Sequence, residues 1–256
     1  MIFKRFAANL RAQNWFAIGI EFAIVVAGVF VGTQVSNWNA GRLERENTSR
    51  LLAQLQPELR SQVDFYDTAK DYYATTRRFA GVALAAWAGD KQVSDNEFVI
   101  AAYQASQIQG IGTNSNTWAN IFGAERLRTI GDPVIRRDLS FLMYTDNGLI
   151  GINAVDTPYR RNVRRVIPIE TQDVIRTKCG DYIPTGRANV VLLPEICNLK
   201  LPAEQAAVAA AALRANPDLV ADLNWHVAAA AAFLANLQSF DSTTLKLLRE
   251  IPTDQK

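Results

Sequence analysis

The chain has 256 residues, 49% of them hydrophobic and 20% charged, with a formal net charge of +2. Such a composition supports a packed core and excludes global disorder, and a charge so near neutral gives no electrostatic preference for nucleic acid. One histidine and two cysteines exclude most zinc sites, which gather about four Cys, His or acidic ligands at close spacing.

The first stretch, residues 1–14, carries Lys4, Arg5 and Arg11 and no acid, with Ile2, Phe3, Phe6 and Leu10 on one side of a helix. This is the pattern of an amphipathic tail lying on the cytoplasmic leaflet. Phe16 to Val35 (FAIGIEFAIVVAGVFVGTQV) is then long and apolar enough to cross a bilayer. Trp15 and Trp38 bracket it, roughly 34 Å apart at helical rise, a spacing that suits the two headgroup belts. The sequence therefore predicts a transmembrane helix over residues 15–38. A secretory signal peptide is the alternative, but the apolar run is long for one and no small-x-small cleavage pattern follows it. Positive charge on the two sides is nearly equal, with Arg42, Arg45 and Arg50 beyond the span, so the charge rule favours a cytoplasmic N-terminus only slightly.

Glu21, Gly28, Gly32 and Asn39 project in nearly one direction on a helical wheel. Gly28 and Gly32 form a GxxxG pair, which allows a second helix to approach closely, and an ionisable residue within a span usually faces protein or water. This face is expected to dock another transmembrane helix, a second copy or a partner subunit. Against that, glycine is common in membrane helices. Glu21, only about 9 Å in from the start of the span, can also reach the interface by snorkelling.

The run EFAIVVAGVFVGTQVSNWN (residues 21–39) and the later NTWANIFGAERLRTIGDPVIRRDLSFLMY resemble an uncharacterised family of bacterial single-pass membrane proteins. In that family a Glu-containing span ends in an Asn-Trp-Asn motif. The resemblance covers roughly residues 14–147, implies an inner-membrane anchor and carries no activity with it.

Beyond the span, Leu51, Leu52, Leu55, Leu59, Val63, Tyr66, Ala69, Tyr73 and Ala80 recur at steps of three and four, predicting a long helix that kinks or restarts at Pro57 and ends at Gly89. Ser94 and Glu97 form a capping box for a helix over 95–108. Residues 110–116 read as a loop, residues 117–130 as a helix, Asp132-Pro133 as the opening of a helix to about Tyr144, and Asp156-Thr157-Pro158 as the opening of another. Residues 168–201 are expected to be the least helical, with a short strand over 189–193. Two alanine-rich helices follow from Pro202 and Pro217, the second capped by Asn216, and a last short helix starts at Asp241. The fold class is thus mainly α: a transmembrane helix continuing into an extracytoplasmic bundle over residues 39–256.

Cys179 and Cys197 bound a loop holding Pro184, Gly186 and Pro194. A disulfide there, in an oxidising compartment, places the domain in the periplasm of a bacterial inner-membrane protein; two free thiols in a cytoplasmic domain is the alternative. Arg160, Arg161, Arg164 and Arg165 are the most distinctive polar feature, with Arg126, Arg128, Arg136 and Arg137 adding positive charge nearby in sequence. They suit contact with anionic lipid, a carboxylate ligand or an acidic partner, or form a solvated face balanced by acids. His226 has Asp222 one turn away but no catalytic or metal partners at recognisable spacing. No GxSxG, P-loop or HExxH motif occurs, and neither enzymatic activity nor a cofactor is expected. With so little chain on the cytoplasmic side, the expected role is an accessory or scaffold subunit docking to a membrane partner. A periplasmic small-ligand sensor is the second expectation.

Overall fold

The computed structural model describes residues 15–109, 127–144, 157–185 and 190–251. The amphipathic tail (1–14), the loop at 110–116, most of the helix expected over 117–130, and Asp156 lie outside them. What is described is mainly helical: α1 (Trp15–Gln54), α2 (Gln56–Trp87), α3 (Asp95–Gln104), α4 (Pro133–Tyr144), α5 (Pro158–Val166), α6 (Ile169–Cys179), α7 (Ala203–Arg214) and α8 (Asp218–Glu250).

Helices α1 and α2 form one column. Leu55 keeps right-handed helical angles (φ −78°, ψ −18°), its N–H donates to the Leu52 carbonyl at 3.0 Å, and its own carbonyl accepts from Leu59 at 2.9 Å. Pro57 does not break the column because it sits in the first turn of α2, where its missing N–H loses no helical partner. Near its C-terminal end α1 buries Thr48, Leu52 and Ala53 against the bundle, and no residue of its apolar stretch is fully buried.

Helix α8 lies antiparallel along α2. Gln56 donates through Nε2 to the Ile251 carbonyl at 3.0 Å, Lys70 pairs with Asp241 at 2.8 Å, and the rings of Tyr73 and Phe233 meet edge-on at 5.5 Å. Three apolar clusters form along this pair; one, midway, joins Tyr72 and Tyr73 of α2 to Ala230 of α8 and to Val191 and Leu193. Near the α1 junction, Leu55 and Leu59 pack with Leu139 of α4 and with Phe240 and Leu247 of α8. At the far end, Ala83 of α2, Phe98 of α3, Tyr159 and Val163 of α5, and Ala209 and Leu213 of α7 form the third. Buried alanines on α2, α3 and α7 let these helices approach closely, and Trp87 bridges the gap by donating to the Leu213 carbonyl at 3.2 Å.

Local signals explain the helix starts. Ser94 and Glu97 make both bonds of the capping box, Asp132 accepts from Val134 N at 2.7 Å, and Thr157 caps α5. Gly89 ends the α2 turn with φ +86°, a conformation that favours glycine.

Five expectations are corrected. Helix α3 stops at Gln104 rather than 108, where Ser106 turns its hydroxyl back onto the Tyr103 carbonyl at 2.7 Å. Residues Ile169–Cys179, expected to be poorly helical, form α6. The expected strand is reduced to one antiparallel bridge between Tyr182 and Leu192, with Asn189 outside the described residues. Asn216 closes α7 by donating to the Ala212 carbonyl at 2.8 Å and does not cap α8. Helix α8 runs through Asp241 without restarting. Cys179 and Cys197 are joined in a disulfide, with Cα atoms 5.6 Å apart, tying the end of α6 to the segment before α7.

Candidate functional site

Two features stand out from the packed bundle. The first is the apolar stretch of α1. Trp15, Phe16, Phe22, Ile24, Val29, Phe30 and Trp38 are each more than 60% exposed. Soluble proteins seldom expose contiguous apolar patches larger than a few hundred Å². A Cβ built on Gly28 or Gly32 meets nothing within 4 Å, so no contact among the described residues requires glycine at either position. One carboxylate oxygen of Glu21 is shut from solvent with no hydrogen-bond donor among the described residues. Asn39 accepts from Arg42, which also pairs with Glu46 at 3.3 Å. Glu21, Gly28, Gly32 and Asn39 thus share a face that nothing in the described bundle covers.

The second feature is a polar cluster where α5 meets the segment after α3. Ala105 to Gln109 is buried throughout, although it is not helical and is rich in side-chain amides and hydroxyls. Arg160 donates to the Ser106 carbonyl at 2.7 Å. Arg164 donates to the Ser106 hydroxyl at 3.3 Å and to Gln107 Oε1 at 2.9 Å, and its guanidinium lies 5.2 Å from the centre of the Tyr103 ring. Gln107 in turn donates to Gln104, and Gln104 to the Cys179 carbonyl at 2.6 Å. Tyr72 donates to Asp181 at 2.7 Å.

The electrostatics follow from enclosure. Burial, and then the neighbouring Arg160 charge, disfavour the Arg164 cation. Asp181 is exposed along one side, yet burial raises its carboxyl above the usual range against the lowering by Tyr72, Arg160 and Arg164. Burial also pushes the Tyr73 phenol up to about 12.

The four expected arginines divide. Arg160 and Arg164 are half-buried and turn inward, whereas Arg161 and Arg165, one position further round, are exposed. Arg137 of α4 is not among them. It pairs with Asp138 at 2.6 Å beside Lys246 of α8. Tyr72, Tyr103, Ser106, Gln107 and Asp181 were not expected at this cluster. The polar run Gln104 to Gln109, following the buried Phe98–Tyr103, was the signal for Ser106 and Gln107, and nothing local marks Tyr72 or Asp181.

His226 does not use Asp222, which accepts instead from Asn162 at 2.7 Å. Its Nδ1 makes a short hydrogen bond with the Thr157 hydroxyl. Burial, and then the Arg160 charge, push its pKa down to about 4. Because the unfolded histidine titrates at about 6.5, the unfolded chain binds more protons between those values. The stability that neutral His226 contributes is complete above about pH 6.5 and is lost as pH falls toward about 4. His226→Gln is expected to flatten the fall in melting temperature over that range, as measured by circular dichroism. An unchanged slope contradicts the assignment.

Among the described residues, no three His, Cys, Asp or Glu side chains converge as metal ligands do. No family model, no curated protein and no solved structure matches this chain.

Proposed function

We propose that α1 anchors this chain in a bacterial inner membrane, with the N-terminus cytoplasmic and the helical domain periplasmic, and that the protein is an accessory or scaffold subunit. In this account lipid covers the apolar girth of α1, Trp15 and Trp38 sit in the two headgroup belts, and the face of Glu21, Gly28, Gly32 and Asn39 docks a transmembrane helix of a partner or a second copy. The observation that carries this is the unburied apolar length of α1, in which Gly28 and Gly32 serve no contact among the described residues. The Cys179–Cys197 disulfide supports an oxidising location for the domain. Co-purification in mild detergent tests the docking face. Glu21→Ala and Gly28→Leu are each expected to reduce recovery of the partner helix severalfold, and unchanged recovery in both rejects docking through this face.

A second reading, a periplasmic small-ligand sensor, is favoured by one observation. The Arg160–Arg164 cluster touches Tyr72 and Asp181 electrostatically, and Tyr72 lies on the same helical column as α1.

A further inference from the structure

A guanidinium carries five N–H donors and no acceptor. Among the described residues Arg160 places one of its donors on a protein acceptor and Arg164 two, and every one of those acceptors is neutral. Half-buried charges are ordinarily paired with an opposite charge, because removing them from water is costly. Here two cations instead lie close enough to disfavour one another. Asp181 is within electrostatic reach of both, yet its bonded partner is Tyr72.

The neutral bonds fix position without neutralising charge. Arg164 is held by Gln107, Gln107 by Gln104, and Gln104 by the backbone of disulfide-bonded Cys179. Arg160 is held by the Ser106 carbonyl. Two guanidinium forks held in place, with donors that no described residue takes up, match the planar oxygens of a carboxylate or phosphate.

We propose that Arg160 and Arg164, half-exposed where α5 meets the Ala105–Gln109 segment, form a binding site for a small soluble oxyanion, phosphate or carboxylate. An anion there turns mutual repulsion into two attractions. The proposal deepens the sensor reading by naming its ligand class. The choice of a soluble anion over a lipid headgroup rests on the membrane reading. Along the helical column Tyr72 lies 34 residues beyond Trp38, about 50 Å at 1.5 Å per residue, so headgroups are out of reach.

The test is isothermal titration calorimetry of the full chain in nonionic detergent, with inorganic phosphate and with citrate, at constant ionic strength set by chloride. Saturable binding of at least one anion is expected. Arg160→Gln and Arg164→Gln are each expected to weaken it tenfold or more, and Arg164→Lys, which keeps the charge and loses the fork, severalfold. Arg165→Gln, on the exposed side of α5, is expected to leave it within twofold. If Arg164→Gln loses its helical circular dichroism, Arg160→Gln and Arg164→Lys decide. The absence of saturable heat with both anions overturns the site. So does equal weakening by Arg165→Gln, or binding confined to phosphatidylglycerol vesicles. Failure of the membrane anchor shows separately, as release of the chain from membranes.

Discussion

Phe98→Ala is expected to lower the unfolding free energy by about 3–5 kcal/mol, the range for deleting a fully buried phenylalanine. Phe98 is fully buried on α3. Its ring meets Trp87 of α2 edge-on at 4.9 Å, and the Arg214 guanidinium of α7 lies 5.2 Å from its centre. Three helices therefore converge on one side chain. Ala83, Ala86 and Ala102 belong to the same buried cluster and have no side-chain length with which to fill the space left behind. A domain of this kind is ordinarily stable by about 5–15 kcal/mol in total, so the variant is expected to unfold at far lower urea. Phe98→Leu, which keeps most of the volume, is expected to cost about half as much or less. Equal urea midpoints for wild type and Phe98→Ala contradict this picture of the far-end core.

Joint replacement of Cys179 and Cys197 by alanine is expected to cost about 3 kcal/mol. Their sequence separation is 18, and chain-entropy accounting for a loop of that size gives this magnitude. The described part of the segment between them holds one bridge, at Tyr182 and Leu192, and no helix. The effect is expected to reach beyond the loop. Cys179 accepts the bond from Gln104 that ends the relay fixing Arg164, and Leu193 packs against Tyr72 and Tyr73 of α2. Urea unfolding of wild type with and without reductant is the measurement. The reduced form is expected to match the double alanine variant, and a midpoint that ignores reductant contradicts the account.

Much of the helical layout was legible because the signals were local. The capping box at Ser94, the Asp132-Pro133 and Thr157-Pro158 openings, the stop at Gly89 and the starts at Pro202 and Pro217 each act within one turn. The apolar run of α1 was legible for the same reason. Non-local packing hid the rest. In α6, Ile169, Thr171, Val174, Ile175 and Thr177 are β-branched and poor helix formers. The helix stands because Thr171, Gln172, Ile175 and Cys179 are buried along it, with Ile175 in the far-end core. Asp241-Ser242-Thr243 looks like a helix opening. Instead Asp241 turns to Lys70, Ser242 and Thr243 bond back to the Ser239 carbonyl, and the helix continues.

The candidate site was legible only in part. The four arginines marked α5, but a single residue, about 100° of helical turn, separates those facing Ser106 from those facing solvent. The acceptors that hold them come from more than fifty residues earlier, and no spacing along the chain records that pairing.

The central claim is that the exposed apolar length of α1 is covered by lipid. Flotation of the full-length protein in a density gradient after alkaline carbonate treatment of broken cells tests it most directly. The account predicts that the chain rises with the lipid fraction, and that replacing Val25, Val29 and Phe30 with aspartate leaves it at the bottom. Recovery of the untreated wild-type chain in the soluble fraction, without detergent, contradicts it.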